Sequence, residues 1–199
     1  MSWLFLDAEL ASRATATLLC VSAFAVIFVR VISIQQHELH ELAMTDSLTG
    51  LSNRVQLHDS LEQAVQMFER HAVPMTLISL DLDNFKKIND TLGHDAGDDV
   101  LRGIGKLLQK RIRRSDKVFR LGGEEFLILL YETDSAQGLL VAEELRKKIE
   151  SMRLLPDRSV TTSVGIATLQ PKEDWRDWMK RSDDNLYRAK KEGRNRVLA

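Results

Sequence analysis

The sequence predicts an α/β domain in which a mixed, mainly antiparallel sheet is flanked by helices, with a further helix at the N-terminus. Three observations support this fold class. Apolar runs of strand length alternate with segments of helical periodicity, in the order α-β-α-β-β-α-β-α-β. Two consecutive strands are joined by Gly122-Gly123, a hairpin signal. No Gly-x-Gly-x-x-Gly motif follows the first strand and no Walker P-loop occurs, so a doubly wound nucleotide-binding fold is not indicated.

The most apolar stretch of the chain lies near its start. Residues 14–34 are about as long as a bilayer-spanning helix, which needs roughly 20 residues, and Arg30 is their single charge. We therefore expect a transmembrane helix that crosses the membrane once. A cleavable signal peptide and a buried dimerisation helix are the alternatives, and Asp7 and Glu9 ahead of the apolar run disfavour the first of them.

A change of composition marks the predicted domain boundary. Ile32 and Leu39 are seven residues apart, which is compatible with either a short coiled-coil seam or a plain amphipathic linker. The turn-rich segment 45–54 follows. We therefore divide the chain into an N-terminal transmembrane or signalling segment, 1–44, and a domain over 45–199.

Hydrophobic periodicity assigns the elements of that domain in order. Helices are predicted over 55–71, 97–114, 135–152 and 175–191, and the polar segment 83–92 has room for a short one. Strands are predicted over 75–82, 118–121, 126–130, 160–169 and 196–198. The strand over 75–82 is almost wholly apolar and is therefore expected at the centre of the sheet.

Composition excludes some classes of function. The net charge of −1 provides no basic field for non-specific nucleic-acid binding. The single cysteine, Cys20, rules out an internal disulfide framework and fits a reducing compartment.

Four acidic residues form the main chemical signal. Glu124 and Glu125 directly follow the glycine pair, and neighbouring residues of a strand point to opposite faces. Asp81 lies near the end of the predicted central strand, and Asp83 points to the same face. Carboxylates brought together at a strand end are typical ligands of Mg²⁺, which often also binds substrate phosphates.

Two basic pairs allow either a structural or a functional interpretation. Lys190 and Arg194 lie four residues apart at the predicted end of the last helix, where they could be solvated cations or a phosphate clamp. Arg113 and Asp116 lie just before the hairpin, where they could be a basic helix end followed by a capping acid. Neither pair is specific by itself.

Several separate motifs together resemble one family. These are Asp-Ser-Leu-Thr-Gly-Leu-Ser-Asn-Arg at 46–54, Asp-Leu-Asp-Asn-Phe-Lys-Lys-Ile-Asn-Asp at 81–90, Gly-His-Asp-Ala-Gly-Asp at 93–98, Gly-Gly-Glu-Glu-Phe at 122–126, Ser-Val-Gly-Ile-Ala at 163–167 and Ala-Lys-Lys-Glu-Gly-Arg-Asn at 189–195. The chain from residue 45 onward resembles a GGDEF domain, the catalytic domain of diguanylate cyclases, in its GGEEF variant. The resemblance implies a fold like that of nucleotidyl cyclases and the polymerase palm, with a ferredoxin-like core.

The resemblance implies a reaction and a set of metal ligands. Members of the family condense two GTP molecules into cyclic di-GMP and release two pyrophosphates, with two Mg²⁺ or Mn²⁺ ions in each half-site. By similarity, Asp81, the backbone carbonyl of Leu82, Glu124 and Glu125 bind metal. Glu124 also assists deprotonation of the ribose 3′-hydroxyl, which attacks the α-phosphate of the other GTP.

The same resemblance assigns substrate contacts. The backbone around Asn84 and Phe85 would hold phosphates, together with the side chains Lys86, Lys190 and Arg194. Asn89 and Asp98 would bind the guanine edge, and the presence of Asp98 favours GTP. Gly122 and Gly123 would let the hairpin backbone approach the nucleotide.

Control of the reaction is also implied by the family. An Arg-x-x-Asp at this distance before the hairpin is an inhibitory product site, so Arg113 and Asp116 would bind cyclic di-GMP. Each domain holds one GTP, so two copies must face each other as a homodimer. Because GTP is cytosolic, the domain would lie in the cytoplasm, anchored to the inner membrane by its N-terminal helix, with no nucleic-acid partner.

Two other readings remain open at this point. A catalytically inactive module of the family could bind GTP or cyclic di-GMP as a sensor or effector. A purely structural dimerisation domain is the third, and the intact acidic residues disfavour both. An assay with GTP and Mg²⁺ separates the three.

Overall fold

The computed structural model describes two parts of the chain, which are Ser22, Phe24, residues 26–30 and Ile32, and then residues 44–199. The chain divides between Ala43 and Met44, and the unit Met44–Ala199 is compact. Leu39 of the predicted coiled-coil seam and most of the predicted transmembrane segment lie outside the described residues. Searching the described residues for a membrane-crossing helix finds none of sufficient length and hydrophobicity.

The domain has six strands and five helices within residues 44–199. In chain order they are β1 (Ser52–Asn53), α1 (Arg54–His71), β2 (Thr76–Leu82), α2 (Phe85–Leu92), α3 (His94–Arg111), β3 (Lys117–Gly122), β4 (Glu125–Leu130), α4 (Ser135–Ser151), β5 (Thr162–Thr168), α5 (Trp175–Lys191) and β6 (Val197–Leu198).

The strands form one mixed sheet in the order β1-β3-β4-β2-β5-β6. The four central strands pair antiparallel, and the two short outer strands, β1 and β6, pair in parallel with their neighbours. The predicted fold class is therefore confirmed, and β2 occupies the centre of the sheet as its apolar sequence predicts.

Each face of the sheet is covered by helices, which gives two hydrophobic cores. On one face α2, α3 and α4 contribute residues such as Phe85, Ile104 and Leu145. On the other face α1 and α5 contribute residues such as Leu61 and Trp178. Because both faces are covered, every residue of β2 is buried, including Asp81 near its end.

The predictions were wrong about the hairpin turn and the bounds of one helix, and they omitted one short strand. The hairpin turn consists of Gly123 and Glu124 rather than Gly122 and Gly123, because Gly122 still pairs with Glu125 after a register shift in β3. Helix α3 begins at His94 and ends at Arg111, since Ile112 is extended although it continues the apolar periodicity. Strand β1 was not predicted, because two residues give no periodic signal.

Candidate active site

The acidic residues meet where β2 and β4 pair. Asp81 on β2 lies directly opposite Glu125 on β4, and the Leu82 N–H donates to the Glu124 carbonyl over 3.3 Å. The exposed Glu125 opens β4, whereas Glu124 lies in the turn and is half-buried. The structure therefore brings the three predicted acids to one edge of the sheet.

Asp81 is a buried carboxylate in an acidic neighbourhood. Its side chain is 7% exposed, and its Oδ2 atom lies 2.7 Å from Lys190 Nζ. Burial raises the pKa of Asp81 to about 6, and the charges of Glu124 and Glu125 act in the same direction against the opposing effect of Lys190. A buried charge needs a compensating partner, and the Lys190 ammonium supplies one here.

The hairpin turn is fixed by an arginine in β3. Gly123 has a φ of +52° and Gly122 a φ of +142°, conformations that favour glycine. Arg120 donates to the Gly123 carbonyl through Nε and a terminal nitrogen, over 3.1 and 2.8 Å. It also binds both oxygens of Asp46, over 2.9 and 3.0 Å. The turn that carries Glu124 is thereby tied to the start of the domain.

Asp46 keeps its charge for this ion pair. Burial acts to raise the pKa of Asp46, but hydrogen bonds from Thr49 and Arg120 hold it below its ordinary value. The Thr49 backbone N–H and hydroxyl both donate to Asp46 Oδ1. A fully charged Asp46 therefore faces the guanidinium of Arg120.

The donor atoms at this edge fit a divalent cation in their chemistry. Asp81 and Glu125 offer carboxylate oxygens on facing strands, which suit the hard cations Mg²⁺ and Mn²⁺. Within the described part of the chain, however, no three His, Cys, Asp or Glu side chains converge closely enough to form a metal site by themselves. Substrate phosphates and backbone carbonyls would therefore have to complete the coordination.

A helix begins directly beside the acids. Asn84 precedes α2 with a φ of +55°, and Phe85 is the first helical residue. The first backbone N–H groups of a helix have no partner within it, and they favour anions. Lys86, also in this first turn, is exposed. The predicted phosphate-binding backbone at Asn84 and Phe85 is thus a helix N-terminus next to Asp81.

The two predicted base-binding residues lie on consecutive helices that meet at Gly97. Asn89 Oδ1 is buried and accepts no hydrogen bond within the described residues. A Cβ atom on Gly97 would lie 1.9 Å from that oxygen. Asp98 follows Gly97 and is 44% exposed beside Arg102. The missing side chain at residue 97 therefore makes room for the amide of Asn89.

The predicted phosphate clamp is arranged differently from the sequence-based expectation. Lys190 lies in the last turn of α5, but Arg194 lies beyond the helix, with a φ of +63°. The glycine at 193, whose φ is +115°, ends the helical path. Lys190 contacts Asp81, so this residue of the predicted clamp lies beside the acids.

Arg113 and Asp116 lie apart from the acids, between two cavities of about 240 and 270 Å³ that both residues line. The Asp116 N–H donates to the Arg113 carbonyl in a tight turn. Burial raises the pKa of Asp116, against the lowering effects of the Tyr131 N–H, which donates to Asp116 Oδ1, and of Arg113. Both residues line both cavities.

Arg120 was missed in the sequence analysis as part of this region, and Asp83 was assigned the wrong surroundings. Arg120 interrupts an apolar strand, which is the signal that could have identified it. Asp83 was expected to join Asp81, but its oxygens accept hydrogen bonds from Ser163 Oγ and Thr161 Oγ1. Asp83 therefore supports the site rather than facing it.

Comparison with known proteins places this geometry in context. A family model described as "Diguanylate cyclase, GGDEF domain" matches residues 43–196. Diguanylate cyclase DgcM of Escherichia coli (strain K12) is 39% identical over 164 residues, which are 82% of this chain and 40% of DgcM. Diguanylate cyclase DgcP of Pseudomonas aeruginosa is 42% identical over 158 residues, 78% of this chain and 24% of DgcP. The chain thus spans less than half the length of these curated relatives.

Solved structures show the same fold. The coiled coil and GGDEF domain of DgcB from Caulobacter crescentus, solved in complex with c-di-GMP, superimposes with a TM-score of 0.82 at 30% identity, covering 92% of this chain and 98% of that one. The active GGEEF domain of a diguanylate cyclase from Vibrio cholerae gives a TM-score of 0.71 at 37% identity, covering 74% and 96%.

Proposed function

The chain belongs to the GGDEF family of diguanylate cyclases, and from this premise we propose that it condenses two GTP molecules into cyclic di-GMP and releases two pyrophosphates. The observation that carries the proposal is the acidic edge, by which we mean Asp81, Glu124 and Glu125 where β2 and β4 pair. Asp81 faces Glu125 across the β2–β4 pair, with the Lys190 ammonium 2.7 Å from Asp81. Carboxylates and a lysine at one edge suit the binding of a metal-associated triphosphate.

Asp81, Glu125, Glu124 and the Leu82 carbonyl would hold two Mg²⁺ or Mn²⁺ ions. Bound cations of this kind neutralise phosphate charge and stabilise attacking and leaving oxygens during phosphoryl transfer. Glu124, which lies in the turn, would accept the proton of the ribose 3′-hydroxyl. Arg120 holds the Gly123 carbonyl and so limits the movement of the adjacent Glu124.

The phosphates would lie between α2 and the end of α5. The backbone N–H groups at Asn84 and Phe85 contribute the partial positive charge of a helix N-terminus. Lys86, Lys190 and Arg194 add full charges from both sides. Positioning and charge neutralisation of this kind are the main contributions of a protein to phosphoryl transfer.

Guanine would bind between Asn89 and Asp98. A carboxylate accepts from both the ring N–H and the exocyclic amine of guanine, a pair that adenine lacks. Asn89 Oδ1 occupies space that a Cβ atom on residue 97 would fill, so its position requires a glycine there. The base site therefore depends on a steric feature as well as on its polar groups.

Replacing Gly97 by Ala is expected to raise the KM for GTP by about 10-fold, because the new Cβ displaces the Asn89 amide. The preference for GTP over inosine triphosphate, which lacks the 2-amino group, should fall by a similar factor. Initial rates with each nucleotide measure both effects.

Gly103→Ala is the matched control in the same helix, since its Cβ would approach only the Leu154 side chain, at 2.5 Å from Cδ2. A Gly97→Ala variant with the KM and nucleotide preference of the Gly103→Ala control would show that residue 97 does not shape the base site.

Ring closure requires a homodimer, because each domain supplies one GTP and one 3′-hydroxyl. Two domains would face each other with antiparallel half-sites. The N-terminal segment would promote this association and anchor the chain in the inner membrane with the domain in the cytoplasm. Its exposed apolar residues, Phe24, Val26, Ile27, Phe28 and Val29, support a role in packing or insertion.

A chain shortened to start at Met44 tests the role of that segment. We expect it to leave the membrane fraction and to form fewer dimers, with a lower synthesis rate per domain. A shortened chain that still sediments with membranes, or that matches the full chain in rate and oligomeric state, would exclude this role.

Arg113 and Asp116 would bind cyclic di-GMP as an inhibitor. Their position between two cavities leaves the arginine accessible to a phosphate and the carboxylate accessible to a guanine edge. Because the pair lies outside the acidic site, product could bind there while substrate sites are filled. The resulting inhibition would limit accumulation of the product.

Replacing Arg113 by Ala is expected to weaken product inhibition by at least about 10-fold, because one charge-assisted contact to the product phosphate is lost. Initial rates with GTP should stay near those of the wild type. Rates measured over a series of added cyclic di-GMP concentrations give the inhibition constant. An unchanged inhibition constant would place the inhibitory site elsewhere.

The full chain incubated with GTP and Mg²⁺ tests the function as a whole, with nucleotide chromatography as the readout. Cyclic di-GMP formation supports the enzyme. Binding of GTP or cyclic di-GMP without product formation would instead support the inactive sensor, and the absence of both would leave only a structural role.

A further inference from the structure

Two consecutive residues between α5 and β6 adopt an uncommon backbone conformation. Arg194 has a φ of +63° and Asn195 a φ of +47°. Left-handed backbone is unfavourable for residues other than glycine, and asparagine tolerates it better than arginine does. Such conformations persist where surrounding contacts hold them. Because Arg194 is a proposed phosphate ligand, contacts that hold the adjacent Asn195 also determine where Arg194 lies.

Asn195 is held by two other segments of the domain, the connection between β2 and α2 and the helix α4. Its backbone N–H donates to Asp83 Oδ2 over 3.0 Å. Its side-chain oxygen accepts from Arg146 over 2.7 Å, and its side-chain nitrogen donates to Glu150 over 2.8 Å. The backbone and both polar atoms of the side chain are thus engaged, which fixes the position of the residue directly after Arg194.

Arg146 is itself rigidly placed on α4. It is 11% exposed and binds Glu143 and Glu150, which lie three residues before it and four residues after it. Both nitrogens that contact Glu143 do so within 2.9 Å. The guanidinium therefore reaches Asn195 from a fixed direction.

Asp83 connects the same loop to the other proposed phosphate-binding segment. It is 6% exposed, and its oxygens accept from Ser163 Oγ over 2.6 Å and Thr161 Oγ1 over 2.8 Å as well as from the Asn195 N–H. The next residue is Asn84, which precedes α2. One buried carboxylate thereby joins the N-terminus of α2 to the Arg194 loop.

We propose that Asp83, Arg146 and Asn195 are positioning residues that hold Arg194 and the N-terminus of α2 at a fixed separation for the triphosphate of GTP. This inference rests on the proposed function, because that function makes both segments phosphate ligands. The side chains of Arg146 and Asn195 bind each other and two glutamates of α4, none of which is a proposed metal or base ligand. Their loss should therefore affect triphosphate binding more than the chemical step.

The test begins with Arg146→Met, which keeps the apolar part of the side chain and removes the guanidinium. The KM for GTP should rise by about 10-fold while kcat stays within about 2-fold of the wild type, since hydrogen bonds to a charged group are lost. The matched control is Arg188→Met, because Arg188 also contacts an asparagine, Asn185, and a glutamate, Glu192, on an exposed helix surface. The control should keep the wild-type KM.

A second pair of substitutions separates backbone strain from side-chain contacts. Asn195→Gly removes the amide but accepts a positive φ, whereas Asn195→Ala removes the amide and disfavours it. Both should raise the KM, because both lose the contacts to Arg146 and Glu150. An Asn195→Gly variant with the wild-type KM would overturn the proposal.

The decisive comparison uses an Arg194→Met background. If Arg146 acts through Arg194, adding Arg146→Met to Arg194→Met should leave the KM unchanged within about 2-fold, since interacting sites are not additive. A further 10-fold rise in that background would overturn the proposal. Thermal melting of each variant verifies that it is folded.

Calorimetric titration with GTP distinguishes this inference from the proposed function. If the wild-type chain binds GTP without making product, the proposed function is contradicted and the positioning role is not. If a folded Arg146→Met variant binds GTP as tightly as the wild type, the positioning role is contradicted, whether or not product forms.

Discussion

Replacing Glu125 by Gln is expected to lower cyclic di-GMP synthesis by about 1,000-fold or more while the domain stays folded. The substitution keeps the size of the side chain and removes one of the two carboxylates that face each other across β2 and β4. Glu125 is exposed at the start of β4, so no packing is lost. The expected loss therefore reflects charge at the acidic edge and not unfolding.

The measurement is the initial rate of product formation by nucleotide chromatography, together with a thermal melt of each protein. Glu69→Gln is a suitable control, because Glu69 is exposed on α1 and lies outside the proposed site. We expect this control to keep the wild-type rate. Turnover by Glu125→Gln at the rate of the control would be incompatible with the proposed chemistry.

The sequence allows the sheet and the meeting of the acids to be predicted, because both depend on local patterns. The apolar run before Asp81 identifies a central strand, and the glycine pair identifies a hairpin. The position of the turn could not be predicted in the same way. It depends on a register shift between Arg120 and Gly122, which places Glu124 in the turn and Glu125 opposite Asp81.

Contacts between distant segments account for what the sequence did not predict. Arg194 was expected at the end of a helix, but Gly193 and the contacts of Asn195 direct the chain into left-handed backbone instead. The contact of Lys190 with Asp81 was also not predicted. No spacing rule shows such contacts, because the partners lie more than 100 residues apart in the chain.

The ion pair between Arg120 and Asp46 could not be predicted from the sequence either. Arg120 lies in a strand and Asp46 in a turn, and neither pattern indicates that the two residues meet. Their pairing connects the first turn of the domain with the turn that carries Glu124. The parallel pairing of β1 with β3 places Asn53 beside Arg120, and a strand of two residues is too short to be predicted from a periodic pattern.

Replacing Gly165 by Ala is expected to destabilise the domain by about 3 kcal/mol, at the upper end of the usual cost of overpacking. Gly165 lies in the middle of β5, where α5 packs directly on the strand. A Cβ atom there would lie 2.1 Å from the Ser182 carbonyl oxygen and 2.2 Å from the Leu186 nitrogen. Both are backbone atoms, so no side-chain rotation relieves the clash and α5 must move.

Two opposing effects decide the sign of this change. Alanine is favoured over glycine in a strand interior by roughly 0.5–1 kcal/mol, which alone would stabilise the variant. The steric effect is larger, because the helix that must move also buries Trp178 against the sheet. Urea unfolding of Gly165→Ala and of the control Gly103→Ala measures the difference. Equal unfolding midpoints would show that α5 does not depend on a glycine at this position.

A displaced α5 would also carry Lys190 away from Asp81, so any folded Gly165→Ala protein should lose activity as well.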